Sequence, residues 1–206
     1  EISCIRLRTQ EIHTKTEETD MNEEIMEQVE EMEKTGKTSS GTPARPTINS
    51  KLRHNILRMP EVIREASGIV IYGKRIKSLA FTTDLAIIKN CDADAVFAVY
   101  PFTPQQSISD AIIKHSSMPV FCGIGGGTTK GLRTVTLAKD VESQGAIGAV
   151  LNAPVSNLNL KMVADSIDIP TVITVVNMDT DIGERIRYGA AIINVAGGAQ
   201  TPEIVK

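Results

Sequence analysis

The sequence predicts an α/β fold: a TIM-like (β/α) barrel, incomplete at six of eight parallel strands, preceded by an acidic helical arm. Three observations predict it. Six short apolar runs recur over residues 78–198, each followed by a helical pattern. No GxGxxG with a following acidic residue marks the first strand, as a dinucleotide-binding open sheet would require. The strand endings GGG and AGG resemble the small-residue turns with which barrels approach anions.

The runs are Ser78–Thr83, Asp94–Tyr100, Pro119–Gly125, Ala146–Ala153, Thr171–Val176 and Ala191–Gly198. β-branched residues crowd them, as strands buried on both faces require. Strand-to-strand spacing is about 20–25 residues, room for one crossover helix each. Helices are predicted over Asp84–Asn90, Pro104–His115, Leu132–Gln144, Asn157–Ile167 and Asp181–Tyr188. Gly145 and Gly189 follow two of them as C-terminal caps do. Upstream, Met59–Ala66 reads as a short helix with Pro60 in its first turn. Gly68–Tyr72, Gly73 and Lys74–Phe81 read as a hairpin turning at Tyr72–Lys74 and feeding the first barrel strand.

Composition bounds the rest. The chain has 206 residues, 41% hydrophobic, with net charge −3. Aromatics are 3% and Trp is absent, so Val, Ile, Leu and Ala must build the core. No apolar run approaches the roughly 20 residues of a membrane span, and Glu1–Gln10 lacks a signal-peptide core. Cys4, Cys91 and Cys122 are isolated, which argues for a reducing compartment and against structural zinc or a disulfide framework. A cytoplasmic location is therefore expected. Cys91 and Cys122 read as small buried hydrophobes.

Charge divides the chain. Residues 1–50 carry 6 Lys/Arg against 11 Asp/Glu, and residues 51–206 carry 16 against 14. Residues 1–34 read as an acidic helical arm, residues 35–50 as a linker and residues 51–206 as the partial barrel. In the arm, Asp20 and Glu23 form a capping box ahead of a helix over Asp20–Lys34, and Met21, Ile25, Val29 and Met32 share one face. The linker TGKTSSGTPARPTINS is rich in Thr, Ser, Gly and Pro. Its GKT is no phosphate loop, because the required upstream glycine is Glu31 and no strand precedes it. The acidic arm, the near-neutral second region and the few aromatics disfavour nucleic acid.

Ligands of such sheets bind at the carboxyl ends of the strands. Those ends supply the candidate site. Asp84 is the candidate acid or base, since a carboxylate shielded at a barrel mouth can have its pKa raised. It reads more readily as the N-cap of the following helix, because Asp is a preferred cap. Asn152 and Asn177 are candidate substrate-orienting residues. Thr83, Gly125, Gly126, Gly127, Thr128 and Thr129 form the candidate anion site, with Lys130 a weaker member, because consecutive glycines let amides approach an anion. The alternative is a plain βα loop needing positive φ. Gly197 and Gly198, ahead of Thr201 and a helix start, follow the same anion logic. Asn194 lies inside the sixth run.

What is missing also counts. No Lys lies at a strand end, so a Schiff-base aldolase is not supported. No His/Asp/Glu cluster has metal spacing; an Asp84, Asn152, Asp179 magnesium site would be poor in charge. No GxSxG elbow occurs. No metal and no cofactor are expected. His115 ends a helix on the face away from the site and reads as structural or solvated.

Residues 57–206 resemble a bacterial family of β/α-barrel proteins commonly labelled only "hydrolase". The stretches that carry the resemblance are MPEVIREASGIVI and GKRIKS, FTTDLAIIKNCDADAVFAVYPFTPQ, PVFCGIGGGTT, GAIGAVLNAP, DIPTVITVV and INVAGGAQTPEIV. They cover about three quarters of the chain. The resemblance implies a ribulose-phosphate-binding type of barrel, a superfamily of lyases, isomerases and epimerases acting on phosphorylated small molecules. The family continues through two further β/α units, where phosphate usually sits, and residues 1–50 have no counterpart in it.

The expected function is a small-molecule enzyme, a hydrolase or lyase/isomerase on a phosphorylated or carboxylated metabolite. The alternative is a metabolite-binding regulatory barrel without turnover; a third reading is a fragment joined to an unrelated arm. The expected partner is a small anionic metabolite, with no nucleic acid and no membrane. The open sheet edge or the acidic helix offers a route to a homo-oligomer.

Overall fold

The alternation of apolar runs and helices resolves into one parallel sheet. A computed structural model describes residues 56–206; the expected arm and linker lie outside the described residues. The hairpin strands are β1 (Ile69–Ile71) and β2 (Lys74–Ile76), paired antiparallel. The sheet follows with β3 (Leu79–Ala80), β4 (Ala95–Ala98), β5 (Val120–Gly126), β6 (Gly148–Asn152), β7 (Thr171–Val175) and β8 (Ile192–Val195). The helices are α1 (Leu85–Lys89), α2 (Gln106–His115), α3 (Leu132–Gln144), α4 (Asn157–Ala164), α5 (Ile182–Arg187) and α6 (Thr201–Ile204).

All five sheet pairings are parallel and the strands lie side by side in chain order, β3 to β8. The order never reverses, so there is no switch point of the kind that defines a doubly wound sheet. A progression in one direction, one helix per crossover, is the winding of a β/α barrel. Among the described residues β3 pairs only with β4 and β8 only with β7, which leaves an open six-stranded arc. The incomplete TIM-like barrel read from the sequence is the architecture of the described residues.

Each strand face has its own core. The helix-side face carries Val96, Cys122, Ile124, Leu151, Ile173 and Val195, packed against Ile112 of α2, Val135, Ala138 and Val141 of α3, and Leu160 and Val163 of α4. The opposite, inward face carries Phe97, Phe121, Val150, Val172 and Ile192, and the hairpin closes on it through Ile71 and Ile76. Phe97 stands between Phe81 and Phe121, with ring centroids 4.4 and 5.8 Å away. Burial on both faces explains why the strands read as near-continuous apolar runs.

Local rules set the ends. Tyr72 (φ 48°) and Gly73 (φ 77°) form the two-residue hairpin turn expected there. Gly145, at φ 97°, caps α3. Several boundaries differ from expectation. The first strand is only Leu79–Ala80, and Asp84 is already a helix cap. Residues 61–65 form a 3₁₀ turn with Pro60 at its N-cap rather than inside it. α4 ends at Ala164, short of Ile167.

The foot of the sheet is pinned by a carboxylate. Asp94 accepts hydrogen bonds from the Lys77 amide (2.8 Å), the Ser78 amide (2.9 Å) and the Ser78 hydroxyl (3.0 Å). Its own amide donates to Ser78 Oγ at 2.9 Å. Burial by itself would raise the Asp94 pKa, but these donors, with Lys74 nearby, hold it below the ordinary carboxylate value.

Candidate functional site

The inward face changes character along the strands. After the apolar layer of Phe97, Phe121, Val150 and Val172, side chains two residues further point the same way. On β6, β7 and β8 those residues are Asn152, Thr174 and Asn194. They form a hydrogen-bonded belt: Asn194 Nδ2 donates to Thr174 Oγ1 at 3.1 Å, and Thr174 Oγ1 donates to Asn152 Oδ1 at 3.3 Å. Asn194 is 3% exposed, and its Oδ1 has no protein partner among the described residues. A buried acceptor left unpaired costs about 1–3 kcal/mol. Packing alone would be served better by Val or Leu at these positions, so the belt marks the place where the interior turns polar.

Beside Asn152 a cleft of about 440 Å³ opens at the carboxyl ends of β4, β5 and β6. One wall is the loop after β4, with Tyr100, Phe102, Thr103 and Pro104. The other is the glycine-rich turn ending β5, with Gly125, Gly126, Gly127, Thr128 and Thr129. Asn152 and Ala153 complete it. The structure therefore brings six of the expected residues together: Asn152 and Gly125 through Thr129.

The turn is held by defined bonds. The Gly127 amide donates to the Pro154 carbonyl (2.7 Å) and the Thr129 amide to the Gly126 carbonyl (3.3 Å). The Gly131 amide donates to Asn159 Oδ1 (2.8 Å), and Thr134 Oγ1 donates to the Thr129 carbonyl (3.0 Å). Asn159 and Thr134 are buried and clamp the turn from behind. Two of the amides expected to cradle an anion, those of Gly127 and Thr129, are thus already engaged. The lining also carries the hydroxyls of Thr128 and Thr129 and the side-chain amide of Asn152. Gly126 (φ 144°) has room for no side chain, since a β-carbon would stand 2.1 Å from the Asn152 carbonyl oxygen.

No Asp, Glu, His, Lys, Arg or Cys lines this cleft. Its ionisable side chain is Tyr100, whose hydroxyl accepts from the Gln105 amide at 2.8 Å. The site is uncharged and rich in neutral donors. Among the described residues no group of three His, Cys, Asp or Glu side chains is placed to hold a metal ion, and no helix is long and apolar enough to cross a membrane.

The other expected residues lie elsewhere. Asp84 is exposed and caps α1, its Oδ1 accepting from the Ala86 (2.7 Å) and Ile87 (3.4 Å) amides. Of the two roles open to it, the placement serves the cap. Asn177 is exposed, and its Oδ1 accepts from the Thr180 hydroxyl at 3.1 Å. Thr83 precedes the cap and does not line the cleft. Gly197 and Gly198 follow β8, where Gly197 packs against Ile204 of α6, also outside the cleft. His115 bonds its own helix through Nδ1 to the Ala111 carbonyl (2.8 Å). Cys122 is buried on the helix side of β5, which pushes its thiol up to about 12 despite a hydrogen bond with Ser109. Thr174, Asn159 and Thr134 were not singled out by sequence reasoning. None of the three stands out in the sequence, Thr174 because it reads as one more β-branched strand residue.

No family model matches the chain, and no curated protein matches it. Solved structures similar to it include dihydrodipicolinate synthase from Acinetobacter baumannii, complexed with pyruvate (19% identity, 52% of this chain and 45% of that one, TM-score 0.41). A dihydrodipicolinate synthase from Bacillus anthracis gives 19% identity over 62% of this chain and 58% of that one, with a TM-score of 0.46. A Burkholderia cenocepacia protein assigned as a phosphonomutase gives 14% identity, 59% and 57% coverage and a TM-score of 0.46. The chain spans about half the length of these structures. At such identities the likeness concerns the fold alone, and the fold stands on the strand order.

Proposed function

We propose that the chain is a small-molecule enzyme of the β/α-barrel class whose described part holds the substrate at the barrel mouth. The observation that carries this reading is the cleft itself: a concave, donor-lined space at the strand ends, next to a polar belt that packing does not require. Asn152 orients the substrate. The Gly125–Thr129 turn faces a carboxylate or phosphate oxygen with its threonine hydroxyls and whichever amides are unspent. The reaction class, hydrolase or lyase/isomerase, follows from the sequence resemblance. Turnover needs an acid–base group carried to the cleft from outside its present lining, because no strong one lies in it.

That same bareness favours a second reading, a regulatory barrel that binds a metabolite without converting it. One experiment separates the two. A panel of phosphorylated and carboxylated metabolites is titrated calorimetrically into the full chain and its Asn152→Ala variant, and each mixture is analysed for product. Binding that weakens in the variant, with product formed, supports the enzyme. Binding that weakens without product supports the regulator. Equal binding by both proteins sinks the site.

A further inference from the structure

We propose that Thr174 and Asn194 are positioning residues that turn the amide N–H groups of Asn152 toward the cleft, so that it selects ligands presenting an acceptor oxygen there. The inference rests on the cleft reading above and concerns what the cleft recognises.

The direction of the belt carries the argument. A hydroxyl has one proton. Thr174 Oγ1 accepts from Asn194 Nδ2 at 3.1 Å, so its proton goes to its other neighbour, Asn152 Oδ1, at 3.3 Å. Asn152 is thereby held by its oxygen, and its nitrogen is left for the cleft it lines. Among the described residues no acceptor takes Asn152 Nδ2. The arrangement leaves Asn194 Oδ1 unpaired in a residue 3% exposed, which a purely structural layer would avoid. With no cation in the lining, the cleft discriminates by the orientation of this dipole and not by charge. A carbonyl, carboxylate or phosphate oxygen fits; an ammonium does not.

The test reads the side-chain NH₂ pair of Asn152 by ¹H–¹⁵N NMR in the full chain, assigned by its loss in Asn152→Asp. Thr174→Val removes the hydroxyl at nearly constant shape, and Thr174→Ser keeps it. The probes are acetate, inorganic phosphate and methylammonium. The parent is expected to shift this NH₂ pair with acetate or phosphate and not with methylammonium. Thr174→Val is expected to move the pair in the free protein and to weaken the acceptor probe about 5-fold, the order of one lost hydrogen bond. Thr174→Ser restores both. An unmoved NH₂ pair and unchanged affinity in Thr174→Val overturn the relay. Saturable methylammonium binding at Asn152 overturns the selectivity. A parent that binds none of the three overturns the cleft reading, and the ligand half of this proposal with it.

Discussion

Gly126 and Asn152 lie backbone to backbone at the barrel mouth, where β5 and β6 pair. A β-carbon at Gly126 would stand 2.1 Å from the Asn152 carbonyl oxygen and 2.7 Å from its carbonyl carbon. Both atoms are backbone, so neither can step aside as a side chain would. Gly126→Ala should therefore cost about 2–4 kcal/mol, combining the clash with a φ of 144° that other residues rarely adopt. Gly127→Ala is the internal control. Its φ is 62° and the nearest atom to a new β-carbon is 3.8 Å away, so strain alone should cost about 1 kcal/mol. Denaturant unfolding of both variants checks the order; equal losses would count against the contact.

Much of this mouth was legible before the structure. The run GIGGGTT stood out as a candidate anion site, with a plain βα loop needing positive φ as its alternative, and Gly125, Gly126 and Gly127 all have positive φ. α3 begins at Leu132 and ends at Gln144, as the spacing predicts, because Gly145 stops it and Val135, Ala138 and Val141 fall on one buried face. The polar belt was hidden for a physical reason. Thr174 in TVITVV looks like any β-branched strand residue, and only the register that sets it between Asn152 and Asn194 gives its hydroxyl a role. Asn159 was equally silent, since its partner, the Gly131 amide, lies 28 residues away in sequence. Local patterns reveal strands and turns; long-range side-chain bonds need the fold.

Asp84 supplies a second prediction, because its two roles differ in what they disturb. As a cap it serves the Ala86 and Ile87 amides. Asp84→Ala should then lower stability by about 1 kcal/mol, and Asp84→Ser should restore most of that. Neither should alter ligand affinity at the cleft, which Asp84 does not line. Thermal unfolding and calorimetry on the same samples decide it. A tenfold loss of affinity with unchanged stability would return Asp84 to the site.

Burial of Cys122 predicts how the thiols respond to alkylation. Only the thiolate attacks an alkylating agent, and a thiol pushed up to about 12 is almost wholly protonated at pH 8. Cys122 is also enclosed, whereas Cys91 is half-buried. Iodoacetamide at pH 8 should label Cys91 in the native protein and spare Cys122 until the sheet opens. Peptide mass spectrometry along a denaturant series should show Cys122 labelling rise only with global unfolding. Early labelling of Cys122 would mean that the face between β5 and α2 opens locally.

Acid should loosen the foot of the sheet through Asp94. The Lys77 amide, the Ser78 amide and the Ser78 hydroxyl all donate to Oδ2, and its pKa lies below the ordinary carboxylate value of 3.8. A depressed folded pKa means that the unfolded chain binds the proton more readily. The stabilisation is thus fully present above about pH 5, declines as the pH falls through the unfolded value near 4, and is gone below the folded one. Asp94→Asn keeps the shape and cannot titrate. Its stability should be lower than the parent's at pH 7, and the gap should narrow on acidification toward pH 3. Denaturant midpoints for the two proteins at pH 7, 5, 4 and 3 give the comparison. Because β3 has only two residues and, among the described residues, one neighbour, losing this clamp should release the Ser78–Ala80 edge first. Amide exchange at Leu79 and Ala80 should therefore quicken in Asp94→Asn at pH 7, ahead of exchange in β5 and β6. Uniform exchange across the sheet would show that Asp94 supports the whole arc and not its edge.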